Sequence, residues 1–132
     1  FAPTRHLPTS LLSAVLLGRW STPELRRTLR AALDDVAPAV QRARAAAAMR
    51  IDLSDRLPRI AVPTLSLKAN QDRLLRACAS LQLLESIHGA RQIALDGPHL
   101  LLQTRTDACV VAIAHFASGL VEGWLRKGAH VG

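Results

Sequence analysis

The chain of 132 residues has few aromatic side chains: they make up 3% of it, and tyrosine does not occur. A hydrophobic core must therefore be built mainly from leucine, alanine, valine and isoleucine, a composition common where helices pack on a sheet. The same scarcity removes the aromatic platform on which many proteins stack nucleic-acid bases. Because 49% of the residues are apolar, a single domain of this length can still bury a core without disulfides or metals.

Cysteine is also scarce. The two cysteines, Cys78 and Cys109, have no Cys-x-x-Cys or Cys/His companion, and we predict that both are buried thiols on apolar faces of helices. The histidines show no metal-ligand spacing, so we expect neither a metal nor another cofactor.

Long apolar runs and a signal-peptide pattern are missing as well. A membrane-spanning helix needs about 18 or more consecutive apolar residues. The sequence therefore predicts a soluble, cytoplasmic protein with no membrane span.

Basic residues outnumber acidic ones, with a formal net charge of +7 and arginine as the main cation. Residues 1–61 hold ten arginines against five acids, so the excess is concentrated there. Such a surface attracts nucleic acid, an anionic membrane or an acidic protein partner, or it is simply a solvated arginine-rich face. Nucleic acid is disfavoured, because charge is the only feature that points to it.

The stretch 60–103 organises the rest of the sequence. Val62–Lys68 is a short apolar run that predicts a strand, and Arg73–Ile87 has apolar residues near a helical period, with Gly89 placed to end the helix. Arg91–Leu95 predicts a second strand. A strand, a crossover helix and a second strand form a parallel unit whose strands end at the same edge.

Two polar residues follow these strands, Asp72 after the first and His99 after the second, and we expect them to meet at that edge. Ligands of open α/β sheets bind there, and a carboxylate that orients an imidazole is half of a hydrolytic triad. Two alternatives remain open: His99 as a turn residue satisfied by backbone groups, and Asp72 as the cap of the following helix.

The flanking segments are predicted to be helical. An apolar patch at 11–17 predicts a short helix ended by Gly18, and a hydroxyl, a proline and an acid at 21–24 predict a helix to about Val36. Pro38 starts another that runs to about Arg50, with Gln41 and the arginines directed outward. Thr104 or Thr106 is expected to cap a last helix, whose apolar stripe packs on the sheet through Cys109, Ile113, Phe116, Leu120 and Trp124.

Four short motifs occur in this part of the sequence, in the order Val62-Pro63-Thr64-Leu65, Asp72-Arg73-Leu74, Gly89-Ala90-Arg91 and Gly97-Pro98-His99-Leu100. In order and spacing they resemble the C-terminal half of the α/β-hydrolase superfamily. The segment 52–63, which leads into the first predicted strand, is similar to the corresponding segment of small carboxylesterases of the pimeloyl-carrier-protein methyl ester esterase type. The resemblance covers roughly residues 50–118.

The resemblance implies an α/β fold in which residues 1–50 are a helical cap segment and residues 51–132 are the C-terminal part of the hydrolase core. The core part would hold two parallel strands with a crossover helix and a terminal helix. Asp72 would be the triad acid and His99 the triad base. The resemblance implies a small-molecule acyl ester as the substrate. An acidic carrier protein that meets the basic cap would be one way to present the acyl group.

A nucleophile turn is missing, since Gly-x-Ser-x-Gly occurs nowhere in the sequence. The nearest phrase, at Ser118, lies within the last predicted helix. The hypothesis is therefore a serine-type hydrolase of carboxylic esters whose nucleophile elbow comes from a missing N-terminal half or a second chain. The alternative is a catalytically inactive hydrolase-derived fragment, or an α/β module that binds a partner.

Overall fold

The computed structural model describes residues 9–75 and 77–128, and the side chains of Thr9, Ala77, Cys78 and residues 123–128 are outside the description. Within this part the chain forms six α-helices and two parallel strands. It is thus a mixed helix-and-strand structure, as the sequence predicts. The prediction for Cys78 and that for Trp124 fall on side chains outside the described ones.

The first 50 residues are helical. Helix α1 spans Thr9–Leu16, α2 spans Pro23–Asp34 and α3 spans Pro38–Arg50, with a 3-10 turn at Gly18–Trp20 between the first two. The Thr22 hydroxyl accepts a hydrogen bond from the Leu25 amide, so α2 begins at the predicted hydroxyl cap.

Glycine 18 ends α1 as predicted. Its φ is +52°, a value that glycine adopts without the steric cost of a Cβ. The chain thereby reverses sharply, and Leu17 beside it is fully buried.

Helix α3 lies mostly in solvent, and none of its side chains is buried. The prediction that Gln41 points outward is wrong: its amide donates to the carbonyls of Leu33 at 2.6 Å and Val36 at 2.8 Å. Leu33 lies in the last turn of α2 and Val36 just beyond it, where main-chain carbonyls have no amide four residues later in the helix as partner. A long polar side chain can satisfy them, and it joins α3 to α2.

The sheet has two parallel strands, β1 at Leu65–Ala69 and β2 at Arg91–Leu95. The second has the predicted bounds, whereas the first starts three residues later than predicted. Val62 is 66% exposed and Pro63 has no amide hydrogen to donate, so neither contributes to the ladder. Pairing begins where the Thr64 carbonyl accepts from the Arg91 amide.

Helix α4 connects the strands and spans Ala77–Ser86, shorter at its start than the predicted helix. The Asp72 carboxylate accepts from the amides of Leu74 and Leu75 and holds residues 73–75 in a bend instead. Gly89 follows the helix with a φ of +72°, in agreement with its predicted role at the end of the helix.

The C-terminal part holds a short helix α5 at Leu101–Thr104 and a long helix α6 at Thr106–Gly128. Neither threonine hydroxyl accepts from an amide as predicted; each donates to a carbonyl four residues earlier, Leu100 for Thr104 and Leu102 for Thr106. Asp107 lies in the first turn of α6, as predicted.

The predicted apolar stripe of α6 packs only over its first turns. Cys109 is 1% exposed and Ala112 is buried, but Ile113 is 46% and Leu120 is 40% exposed. A five-residue strand spans about 17 Å, whereas a helix of 23 residues spans about 35 Å. A sheet this short can cover only the N-terminal half of the helix.

The best-buried apolar side chains near the C-terminal ends of the strands are Leu17, Pro98, Leu101 and Cys109, while Ile87 is buried between the end of α4 and the start of β2. This core joins α1, the strand ends and the start of α6. None of the described helices has the length and apolarity to cross a membrane.

The core position of Leu17 generates a stability prediction. Leu17→Ala should lower the free energy of unfolding by about 2 to 5 kcal/mol, because a fully buried leucine leaves a cavity when truncated. Leu11→Ala is the matched control, since Leu11 lies in α1 and is 49% exposed; its loss should stay below about 1 kcal/mol. Urea unfolding measures both, and equal losses would contradict this account of the core.

Candidate active site

Two turns leave the same edge of the sheet, which we call the acid turn (residues 70–75) and the histidine turn (residues 96–100). Since β1 and β2 are parallel and in register, with Ala69 opposite Leu95, both turns start side by side. The Asn70 amide donates to the Leu95 carbonyl at 2.9 Å, so the ladder continues into the acid turn.

Asp72 and His99 meet at this edge, as the sequence predicts. His99 Nδ1 lies 2.9 Å from Asp72 Oδ2. The side chains are 26% exposed for His99 and 15% exposed for Asp72, so water reaches the imidazole more readily than the carboxylate.

The two oxygens of Asp72 have different partners. Oδ2 faces His99, while Oδ1 accepts from the amides of Leu74 at 2.8 Å and Leu75 at 2.9 Å. The amides of Leu74 and Leu75 precede α4, which begins at Ala77, so Asp72 holds a bend and does not cap the helix as the alternative expected. The same carboxylate faces His99, because it has acceptor sites for both sets of partners. The backbone amides fix the carboxylate, and the carboxylate in turn fixes the ring.

Electrostatics favour the ionised carboxylate. Partial burial raises the pKa of Asp72, but the hydrogen bonds from Leu75, from His99 and from Leu74 outweigh burial and leave the pKa below its ordinary value. An ionised carboxylate only accepts hydrogen bonds, so a neutral His99 must carry its proton on Nδ1. Nε2 then keeps a free lone pair, the form that a general base requires.

Packing holds the histidine turn close to α5. Gly97 and Pro98 are both buried. A Cβ built on Gly97 would lie 2.5 Å from Leu101 Cδ1 and 3.0 Å from Arg105 Cγ. A glycine is therefore needed for α5 to approach the turn this closely.

An open apolar cleft of about 500 Å³ lies beside the histidine. Its walls come from β1, α5 and α6, and they consist of Leu65, Leu67, His99, Leu101, Leu102, Gln103, Ile113 and Phe116. His99 is the one titratable group among them. An acyl chain or a further apolar element of protein would fit such a surface.

Among the described residues, no nucleophilic side chain contacts the Asp72–His99 pair through a hydrogen bond. Ser118 lies within α6 and is exposed, as expected from its sequence position. Within the described residues, no serine hydroxyl or cysteine thiol forms a hydrogen bond with the His99 ring. In this same part of the chain, no group of three His, Cys, Asp or Glu side chains is placed to hold a metal ion.

No protein-family model, no curated protein and no solved structure matches this chain. The site is therefore defined by its geometry alone.

Sequence reasoning missed three residues next to the pair. Gln71 Nε2 donates to Asp96 Oδ1 at 2.7 Å, and Arg19 donates to Asp96 Oδ2 at 2.7 Å. Gln71 and Asp96 could have been found, because they stand two residues and one residue past a strand end. Arg19 carried no such signal, since 77 positions separate it from Asp96.

The lowered pKa of Asp72 predicts the pH dependence of stability. A carboxylate with a depressed folded-state pKa contributes stability above its unfolded pKa, about 4, and loses it as pH falls through the folded pKa. The stability that Asp72→Asn removes should therefore be largest near neutral pH and shrink below about pH 4.

Urea unfolding between neutral and acid pH measures this difference, with Asp55→Asn as the matched loss of one exposed carboxylate. A difference that grows as the pH falls would contradict the assignment of Asp72 as a stabilised carboxylate.

Proposed function

We propose that this chain supplies the acid and the base of a serine-type hydrolase of carboxylic esters, with an α/β-hydrolase arrangement. The observation that carries the proposal is the 2.9 Å contact of His99 Nδ1 with Asp72 Oδ2, formed where two adjacent parallel strands end. This is the edge at which open α/β sheets bind ligands.

The chemistry follows from the tautomer. With its Nδ1 proton directed to Asp72, His99 can take the proton of a serine hydroxyl on Nε2 while the oxygen attacks the ester carbonyl. The imidazolium then returns the proton to the leaving alkoxide, and water hydrolyses the acyl-enzyme in the same way. Asp72 stays ionised throughout and stabilises the imidazolium.

The serine of this proposal lies outside Phe1–Gly132. Exposed apolar surface supports that part, since every residue of β1 is only half buried, whereas parallel strands in proteins are normally covered on both faces. We propose that further strands and the nucleophile turn pack against this surface, and that residues 1–50 form the cap.

The proposal predicts the effect of removing His99. In the intact protein, His99→Ala should lower kcat for a p-nitrophenyl acyl ester by at least about a thousandfold, because the proton acceptor is lost. Asp72→Asn should have an effect of similar order, since the wrong tautomer is then allowed. His88→Ala is the matched control, because His88 is exposed after α4.

A fluorophosphonate probe tests the nucleophile separately. Peptide mapping of the labelled intact protein should place the adduct on a serine outside residues 1–132. An adduct on Ser118, or a His99→Ala variant with the wild-type rate, would refute the proposal.

We further propose that the acyl group is presented by an acidic carrier protein. The support is a groove of about 340 Å³ between α1 and α2, lined by Ser10, Pro23, Arg26, Arg27 and Arg30. Arg26 donates to the Ser21 hydroxyl, and no carboxylate among the described residues pairs with Arg27 or Arg30. Their charge is thus available to an acidic surface.

The carrier-protein proposal predicts that the affinity of this chain for an acidic acyl-carrier protein depends on salt. Arg27→Ala and Arg30→Ala should each weaken binding of an acidic acyl-carrier protein by about twofold to fivefold at low salt, the range of an exposed ion pair. The effect should fade as salt rises. Arg42→Ala and Arg44→Ala on exposed α3 are the matched controls, and calorimetry at several salt concentrations measures all four. Affinity that does not respond to salt would contradict this role.

A second candidate is an inactive α/β module that binds a protein partner through its apolar surface. It is favoured by the large exposed hydrophobic side chains of α6, which include Val110, Val111, Ile113, Leu120 and Val121. The labelling experiment separates the two candidates, because a partner-binding module has no reactive serine and no ester hydrolysis.

A further inference from the structure

A second set of contacts joins the acid turn to the histidine turn. The Gln71 amide donates to the Gly97 carbonyl at 3.0 Å, and its side-chain Nε2 donates to Asp96 Oδ1 at 2.7 Å. Gln71 precedes Asp72 directly, and Asp96 and Gly97 lie three and two residues before His99. The separation of the two turns, and with it the separation of carboxylate and imidazole, is therefore fixed from this side as well.

Asp96 extends these contacts to the N-terminal part of the chain. Its Oδ2 accepts from Arg19 at 2.7 Å, and the Arg19 guanidinium lies over the Trp20 ring at 4.3 Å from its centre. Both carboxylate oxygens of Asp96 are thus occupied, one by each partner. We call Arg19, Gln71 and Asp96 the turn clamp.

The segment that carries Arg19 also contacts both turns directly. The Leu100 amide donates to the Leu16 carbonyl at 3.1 Å, and the Arg73 guanidinium donates to the Ala14 carbonyl at 3.4 Å. Leu17, in the same segment, is fully buried. Residues 14–19 therefore lie against both turns and are anchored there by a core side chain.

We propose that the turn clamp positions the catalytic pair: Arg19, Gln71 and Asp96 hold the two turns at the spacing that keeps His99 in its Nδ1–H tautomer. The clamp residues touch neither the imidazole nor the reacting atoms, so they are positioning residues. Only the catalytic consequence of this inference rests on the proposed function; the effect on the tautomer does not.

The physical reason is the steep distance dependence of the hydrogen bond. The Asp72 carboxylate selects the Nδ1–H tautomer only while it stays within hydrogen-bond distance of the ring. Arg19 and Asp96 are 64% and 55% exposed, and exposed ion pairs add little to global stability. Loss of the clamp should therefore change the geometry of the pair far more than the stability of the fold.

The tautomer can be measured directly. In the intact protein labelled with ¹⁵N-histidine, the Nδ1 and Nε2 shifts of His99 report which nitrogen carries the proton at a pH where the ring is neutral. His99→Gln identifies the signals of His99 among those of the other histidines. Wild type should hold mainly the Nδ1–H form, and Arg19→Ala, Gln71→Ala and Asp96→Ala should each shift the population toward the Nε2–H form of free histidine.

Matched controls are available on other elements. Gln82→Ala removes an exposed glutamine that donates to Ser54, Asp55→Ala removes an exposed carboxylate, and Arg44→Ala removes an exposed arginine of α3. None of the three should change the tautomer. Arg19→Lys keeps a cation near Asp96 and should restore much of the wild-type population.

Kinetics provide a second readout. Loss of a clamp residue should lower kcat for the p-nitrophenyl ester by about tenfold to about a hundredfold with little change in KM, as expected when a reacting group is misplaced but the binding surface is intact. If wild type hydrolyses no ester, the proposed function fails, whereas the tautomer measurement still decides the positioning role.

Circular dichroism verifies that each variant is folded. Should Asp96→Ala unfold, Arg19→Ala and Gln71→Ala carry the test, because each removes one of the two hydrogen bonds that Asp96→Ala removes together. An unchanged His99 tautomer in the folded clamp variants would overturn the inference.

Discussion

The parallel pairing of two five-residue strands decides where every polar group of the site lies. Ala69 stands opposite Leu95, so the chain leaves both strands at one edge and the two turns begin as neighbours. A slip of one residue would turn each side chain to the other face of the sheet and separate Asp72 from His99. The main-chain bonds beyond the strands, from Asn70 to Leu95 and from Gln71 to Gly97, oppose such a slip.

Asp72 fixes both the main chain of the acid turn and the orientation of the His99 ring. One oxygen holds the main chain of residues 74 and 75, and the other holds the imidazole. Because the backbone bonds restrict rotation of the carboxylate, its second oxygen is presented to His99 at little further loss of side-chain entropy. The hydrogen bonds from the amides of residues 74 and 75 to Asp72 hold these residues in a bend. The helix α4 therefore begins later in the sequence than its apolar pattern predicts.

The sequence was informative where local chemistry and apolar patterning agree. The strand Arg91–Leu95, the hydroxyl cap of α2 and the helix-ending role of Gly89 were all predictable, because each depends on residues that are close in sequence. The meeting of Asp72 with His99 was predictable because a parallel unit has only one edge to which both turns lead.

Other features were not predictable, since they depend on distant partners or on the extent of packing. Arg19 reaches Asp96 across 77 positions, and nothing in either local pattern indicates it. Gln41 looked like a solvent-exposed helix residue, but its amide donates to the carbonyls of Leu33 and Val36 at the end of α2 and just beyond it. The stripe of α6 was recognisable, yet its degree of burial depends on the length of the strands that it meets.

The surroundings of the pair are polar on one side and apolar on the other. The amides of Leu74 and Leu75 hold the carboxylate, whereas the cleft beside His99 is lined mainly by leucine, isoleucine and phenylalanine. Charge interactions strengthen as water is excluded. Because this cleft is open, water still screens the imidazole there. Any apolar group that fills it, whether acyl chain or protein, would exclude this water and strengthen the hydrogen bond between Asp72 and the His99 ring without moving either residue.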